Sequence, residues 1–156
     1  MSNRVDTFLK VRVLLGAFAA LLAIASPAVA DNSPVGTWVK KGEANPRMIL
    51  TIEQWGDQAK LTWNMKQAGL VLTIVSKLDG NDAPLLMNGK PSGETMAIKL
   101  VDKRHSSTVV KMNGKPFGTS KAAFSEDFKT MTVENDYADS VGGNQAGKST
   151  EVWIRK

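Results

Sequence analysis

Ala59-Lys60-Leu61-Thr62-Trp63-Asn64-Met65 alternates apolar and polar residues without exception. A period of two puts Leu61, Trp63 and Met65 on one face of an extended chain and Lys60, Thr62 and Asn64 on the other, the pattern of a half-buried β-strand. The same period runs outward in both directions. Met48, Leu50 and Ile52 alternate with Ile49, Thr51 and Glu53, and Leu70, Leu72 and Ile74 alternate with Val71, Thr73 and Val75. Met96 to Leu100, Thr108 to Met112, Phe128 to Val133 and Glu151 to Arg155 read as further strands, with weaker ones at Gly36 to Lys40, Pro84 to Met87 and Phe117 to Phe124.

Turn chemistry falls between these runs, at Trp55-Gly56-Asp57, Asp79-Gly80, Asn88-Gly89, Asp102-Lys103, Asn113-Gly114 and Ser125-Glu126-Asp127. Asn-Gly and Asp-Gly tolerate the positive φ angles of tight hairpins. Met87-Asn88-Gly89-Lys90-Pro91 recurs as Met112-Asn113-Gly114-Lys115-Pro116, which predicts one hairpin turn used twice. No helical window is long enough for a parallel crossover, so the expected fold is an all-β, antiparallel up-and-down barrel of about eight to ten strands, closure removing the exposed edges of an open sheet. Asn135 to Gly147, rich in Gly, Asn, Asp and Ser, reads as a loop over one barrel mouth.

The first thirty residues have a different character. Arg4, Lys10 and Arg12 precede an apolar and small run from Val13 to Ala25, Ser26-Pro27 breaks it, and Ala28-Val29-Ala30 supplies the small residues a signal peptidase requires. The expectation is a cleaved signal peptide, residues 1–30, followed by a single barrel domain, residues 31–156, located in the periplasm or secreted, with no stable membrane insertion after cleavage. N-terminal sequencing of the exported form should therefore begin within a residue or two of Asp31. A membrane-bound chain retaining Val13 to Ala30 would overturn this.

Loss of the leader's three basic residues and one acidic residue takes the net charge from +5 to +3. The lysines are spread along the chain, which argues against nucleic acid as a partner. Zero cysteines exclude disulfides, thiolate metal ligands and a cysteine nucleophile. The one histidine, His105, adjoins Ser106 and Ser107, but neighbours on a strand point to opposite faces, so a His-Ser pair is not expected there. No catalytic constellation, metal site or cofactor is expected, and the Asp79-Gly80-Asn81-Asp82 segment lacks the spaced oxygen ligands of a calcium loop.

Gly142-Gly143-Asn144-Gln145-Ala146-Gly147-Lys148-Ser149 matches the phosphate-loop pattern letter for letter. That motif works only where a helix begins at its Lys-Ser end, so that backbone N–H groups converge on phosphates. Here Thr150 to Lys156 reads as an aromatic, β-branched strand, and no nucleotide is expected despite Gly142, Gly147, Lys148 and Ser149.

Gly36-Thr37-Trp38, with Arg155 in the last strand, resembles the glycine-x-tryptophan signature of lipocalins and related calycin barrels. The resemblance implies that Gly36, Trp38 and Arg155 form one barrel end, Trp38 closing it beneath the basic residue. A bacterial group of small exported lipocalin-like proteins of unassigned function is similar over nearly the whole mature chain, through Gly36-Thr37-Trp38, Glu53 to Asp57, Asp79 to Pro84 and Ser125 to Val133. The chain departs from that group in its short first connection, Lys40 to Arg47, and in its Trp-Ile-Arg-Lys ending. Trp38 and Trp153 fall on the first and last strands, which closure would make neighbours, and Arg155 shares a strand face with Trp153.

The expected function is binding of a small apolar or amphipathic ligand inside the barrel. Its lining would come from the apolar faces, Leu61, Trp63, Met65, Leu72, Ile74, Met96 and Ile98, which could equally fill a core. The alternative is an inhibitor or envelope accessory that contacts a protein partner through exposed hairpins, including the two Asn-Gly-Lys-Pro turns. On the sequence, nothing polar falls clearly within the apolar faces to orient a head group.

Overall fold

The computed structural model describes residues 32–138 and 146–156. The expected leader and Gly142 to Gln145 of the phosphate-loop match lie outside the described residues. Ten strands follow in chain order: β1 Gly36–Lys40, β2 Ile49–Gln54, β3 Ala59–Met65, β4 Leu70–Ser76, β5 Asp79–Met87, β6 Lys90–Asp102, β7 His105–Met112, β8 Lys115–Phe124, β9 Thr130–Tyr137 and β10 Gly147–Arg155. Each pairs antiparallel with its sequence neighbours, and β1 pairs with β10, giving a closed up-and-down barrel. A single 3₁₀ turn, Lys66–Ala68, joins β3 to β4 and ends on Gly69 at φ +61.

Register carries the alternation read in β3 around the barrel. Leu61 lies between Ile52 and Ile74, and Trp63 between Leu50 and Leu72, so one side-chain face is common to three strands. That face points inward. Lys60, Lys99, Lys111 and Lys121 occupy the alternate positions on their strands, outside, where Lys60 pairs with Glu53 and Lys111 with Asp82.

One end of the barrel is filled. Trp38 is 0 % exposed and packs with Ile52, Ile74, Leu78, Phe124, Phe128 and Met131 in one apolar cluster. Phe124 is its hub, with ring centroids 5.6 Å from Trp38, 5.5 Å from Trp55 and 5.8 Å from Phe128. The Trp38 Nε1–H donates to the Pro34 carbonyl at 2.9 Å, so the buried indole keeps its hydrogen bond. Arg155 is the register partner of Trp38 and its Nη1 donates to the Ser33 carbonyl at 3.2 Å. A Cβ at Gly36 would stand 2.7 Å from the Arg155 Nε, and Gly36 adopts φ +145; absence of a side chain lets the guanidinium lie across this strand. The cation over the Trp153 ring is Lys40, 5.6 Å from its centroid.

The repeated turn is one geometry used twice: Asn88 and Asn113 have φ of 48° and 50°, and Gly89 and Gly114 have 78° and 79°. Both central residues left-handed is the type I′ hairpin. Three other readings need correction. Asp79-Gly80 is not a turn but the start of β5; the chain reverses just before it, where Leu78 takes φ +58. Its turn chemistry bends a strand: register shifts between Asp79 and Asp82, Gly80 takes φ +86, and the Asp79 carboxylate accepts the Asn81 N–H at 2.9 Å. That same carboxylate accepts the Asn81 side-chain N–H, and Asp82 is held by Lys111, so these oxygens already have protein partners.

Phe128 precedes β9 and belongs to the turn, at φ +50, with its ring buried against Phe124. Ser125 stabilises that turn, its Oγ accepting the Thr130 N–H at 3.0 Å and donating to Asp127 at 2.7 Å. Finally, Asn135 to Tyr137 are strand and not loop, because β9 stays paired with β8 as far as Tyr137 opposite Gly118.

Candidate functional site

Above the aromatic cluster the barrel holds a cavity of about 180 Å³. Its wall from β2 to β5 is apolar: Met48, Leu50, Ile52, Leu61, Trp63, Leu72 and Leu85. The wall from β6 to β10 mixes Met96, Ile98, Val110 and Val133 with Glu94, Ser106, Thr108, Ser120, Asn135, Tyr137 and Glu151. The interior is therefore amphipathic across its width, with polar groups on inward faces where none was clear from the sequence.

Of the expected lining residues, Leu61, Trp63, Leu72, Met96 and Ile98 border this cavity. Ile74 is buried in the packed end, and Met65 lines a second hollow at the rim with Lys40, Glu43, Arg47, Met48, Gln67 and Ala68. Met87 pairs with Leu72, and Met112 with Glu94, so both share the inward face, yet they are 41 % and 39 % exposed. The mouth is thus edged by methionines, unbranched side chains that adapt to irregular apolar shapes. Within the β1–β2 connection at this end the backbone N–H of Arg47 donates to the Glu43 carboxylate.

The polar wall has an ordered centre. Ser120 Oγ donates to Asn135 Oδ1 at 2.7 Å, and the Tyr137 hydroxyl lies 2.9 Å from the same Ser120 Oγ. With the serine proton committed to Asn135, the phenol proton is free for the serine oxygen or for Asn135 Oδ1, 3.4 Å away. Asn135 is only 5 % exposed, and its Nδ2 has no hydrogen-bond partner among the described residues. A buried amide donor left unpaired is unfavourable by about 1–3 kcal/mol. Burial raises the Tyr137 phenol above its usual range; the Ser120 hydrogen bond opposes this, and the charges of Glu151 and Glu94 add to it, so the hydroxyl stays protonated at neutral pH.

Tyr137 reaches that position by lying over Gly118 in β8, where a Cβ would overlap the ring. Glycine in a strand interior weakens it unless something approaches closely. Here a ring does.

The two glutamates differ. Glu151 binds Lys40 through one oxygen and accepts the Trp153 Nε1–H at 3.2 Å through the other. The Glu94 carboxylate has no ion-pair or hydrogen-bond partner among the described residues, and burial raises its pKa above the ordinary carboxylate range. A raised value means that the fold favours the protonated acid. Its stabilising contribution is complete below the unfolded-state pKa and is lost as pH rises through the folded one. Glu94→Gln is expected to melt at the same temperature as the parent or above it at pH 7, with any advantage vanishing in thermal scans below the ordinary glutamate range. A Gln variant less stable than the parent at pH 7 would mean that the charge has a stabilising partner.

His105 is exposed and its Nδ1 lies 2.8 Å from the Asp102 carboxylate, while Ser106 faces the cavity. The turn N–H of Arg104, then the His105 side chain, hold Asp102 below the usual carboxylate range. Lys148 and Ser149 lie on β10 opposite Asp136 and Asn135, so a strand stands where a phosphate loop needs a helix start.

Glu94, Ser120, Asn135 and Tyr137 were missed in the sequence reading. The available signal was the period itself: Met131 and Val133 extended by two-residue steps lead to Asn135 and Tyr137, and Phe124 and Ala122 lead back to Ser120 and Gly118. The chain matches no protein-family model and no curated protein.

Proposed function

We propose that this chain is an exported, calycin-type binding module that holds a small amphipathic molecule within its barrel. One observation carries the reading: a cavity apolar on one side presents, on the other, a buried amide donor with no hydrogen-bond partner among the described residues. Unpaired buried donors are rare in folded proteins and mark a place where a partner is missing. The packed end, where Trp38 and Arg155 pair beside Gly36, supports the lipocalin resemblance through its register and its close approach. The role is one of binding and not of catalysis: His105 and Ser106 face opposite sides of β7. No cofactor enters the reading, and the site of action is the periplasm or the exterior.

Native mass spectrometry of protein purified without denaturant from its own host tests this. A retained small molecule, released on unfolding, is the expected result. A stoichiometric co-purifying protein, with no small molecule retained and no small apolar compound able to bind, would overturn it in favour of contact through the hairpins at Asn88-Gly89 and Asn113-Gly114.

A further inference from the structure

Resting on the reading that the barrel interior is a ligand site, we propose that it selects a ring-sized, neutral amphipath, an apolar body bearing a carbonyl acceptor beside an N–H donor as in a primary amide, and rejects carboxylates. Size comes first. An apolar cavity of about 150 Å³ suffices for benzene, and this one is about 180 Å³. One ring and a compact head group fill it, and a long acyl chain would have to extend out through the mouth.

The head group follows from what the polar wall lacks. Asn135 Oδ1 takes the Ser120 proton, while the Nδ2 hydrogens have no partner among the described residues, so the ligand supplies an acceptor there. Glu94 lines the same cavity with a carboxylate that has no partner among the described residues, which calls for a donor on the ligand. A primary amide carries both functions on adjacent atoms. A hydrocarbon carries neither and leaves Asn135 unpaired.

Charge decides against acids. Glu94 and Glu151 both border the cavity and, among the described residues, only Glu151 has a cation, Lys40, so an ionised Glu94 leaves this wall net negative. A carboxylate ligand would be desolvated against a like charge, which is costly in a low-dielectric interior. The acceptor it could offer Asn135 does not offset that repulsion.

The test is a ligand-observed NMR titration of the exported protein with benzamide, benzoate and toluene, three compounds of one ring and different heads. Benzamide is expected to bind about tenfold more tightly than either of the others, the scale set by one recovered buried hydrogen bond. In Asn135→Leu the advantage of benzamide over toluene should vanish while toluene still binds, and in Glu94→Gln the discrimination against benzoate should narrow. Continued toluene binding shows that each variant keeps its cavity. If toluene or benzoate matches benzamide in the parent protein, the head-group inference is wrong and the cavity reading stands. If none of the three binds, the ligand-site reading itself falls, and this inference with it.

Discussion

Replacing Trp38 with alanine is expected to lower the free energy of unfolding by about 3–5 kcal/mol, the range for truncating large buried aromatics. The indole is 0 % exposed at the filled end of the barrel, between β2 and β10. Its loss removes the tilted contact to Phe124 at 5.6 Å and leaves the Pro34 carbonyl without the Nε1–H it accepts at 2.9 Å. A loss of that size is a large part of the roughly 5–15 kcal/mol that holds a typical domain folded. Arg155→Ala should cost less, because the guanidinium sits at the edge of the cluster. The two losses should not add, since Trp38 and Arg155 are register partners and share surroundings. Urea unfolding of both single variants and the double variant measures this. A Trp38→Ala loss below about 0.5 kcal/mol would mean that this end is not packed as described.

Gly118→Ala is expected to cost about 1–3 kcal/mol, the range for forcing extra volume into a packed interior. The added methyl would overlap the Tyr137 ring, and φ at this position is not the issue; space is. Moving the ring withdraws the phenol from Ser120 and loosens the Ser120–Asn135 pair that sets the direction of the Asn135 amide. Tyr137→Phe keeps the ring and should cost only about 0.5–1.5 kcal/mol for the hydroxyl bond. The diagnostic is the double variant Gly118→Ala, Tyr137→Ala. With the ring gone the collision disappears, so its total loss should fall short of the sum of the single losses. Strict additivity in denaturant titrations would show that Gly118 matters for some reason other than the ring above it.

Gly118 also shows why the interior was hard to read along the chain. In Phe117-Gly118-Thr119-Ser120 nothing marks a buried face, because glycine and serine are as common in turns as in cavity walls. The meaning of Gly118 lies in Tyr137, nineteen positions away and reached only through the β8–β9 register. Asn135 failed for a related reason. It opens a stretch rich in Gly, Asn, Asp and Ser, and that composition outweighed the two-residue period continuing from Met131 and Val133. The tight turns were legible because their chemistry is local: Asn88-Gly89 and Asn113-Gly114 adopt positive φ for reasons contained in the dipeptide. Asp79-Gly80 has the same local chemistry but is spent on a bulge, a choice made by the pairing of β5 with β6.

By itself, then, the sequence determined most of the strands, their order and the apolar side of β2, β3 and β4, because alternation is a property of consecutive residues and short turns join antiparallel neighbours. That Trp38 and Arg155 share one end of the barrel was implied by the resemblance to lipocalins, and the β1–β10 register makes the two partners. Tertiary structure alone decided that Glu94, Ser120, Asn135 and Tyr137, from three different strands, share one wall of a cavity. Which residues meet across strands is set by register and closure, and neither is written in any local window. That Asn135 Oδ1 accepts the Ser120 proton while its Nδ2 has no partner among the described residues was decided only by the closed barrel, which brings Ser120, Asn135 and Tyr137 together.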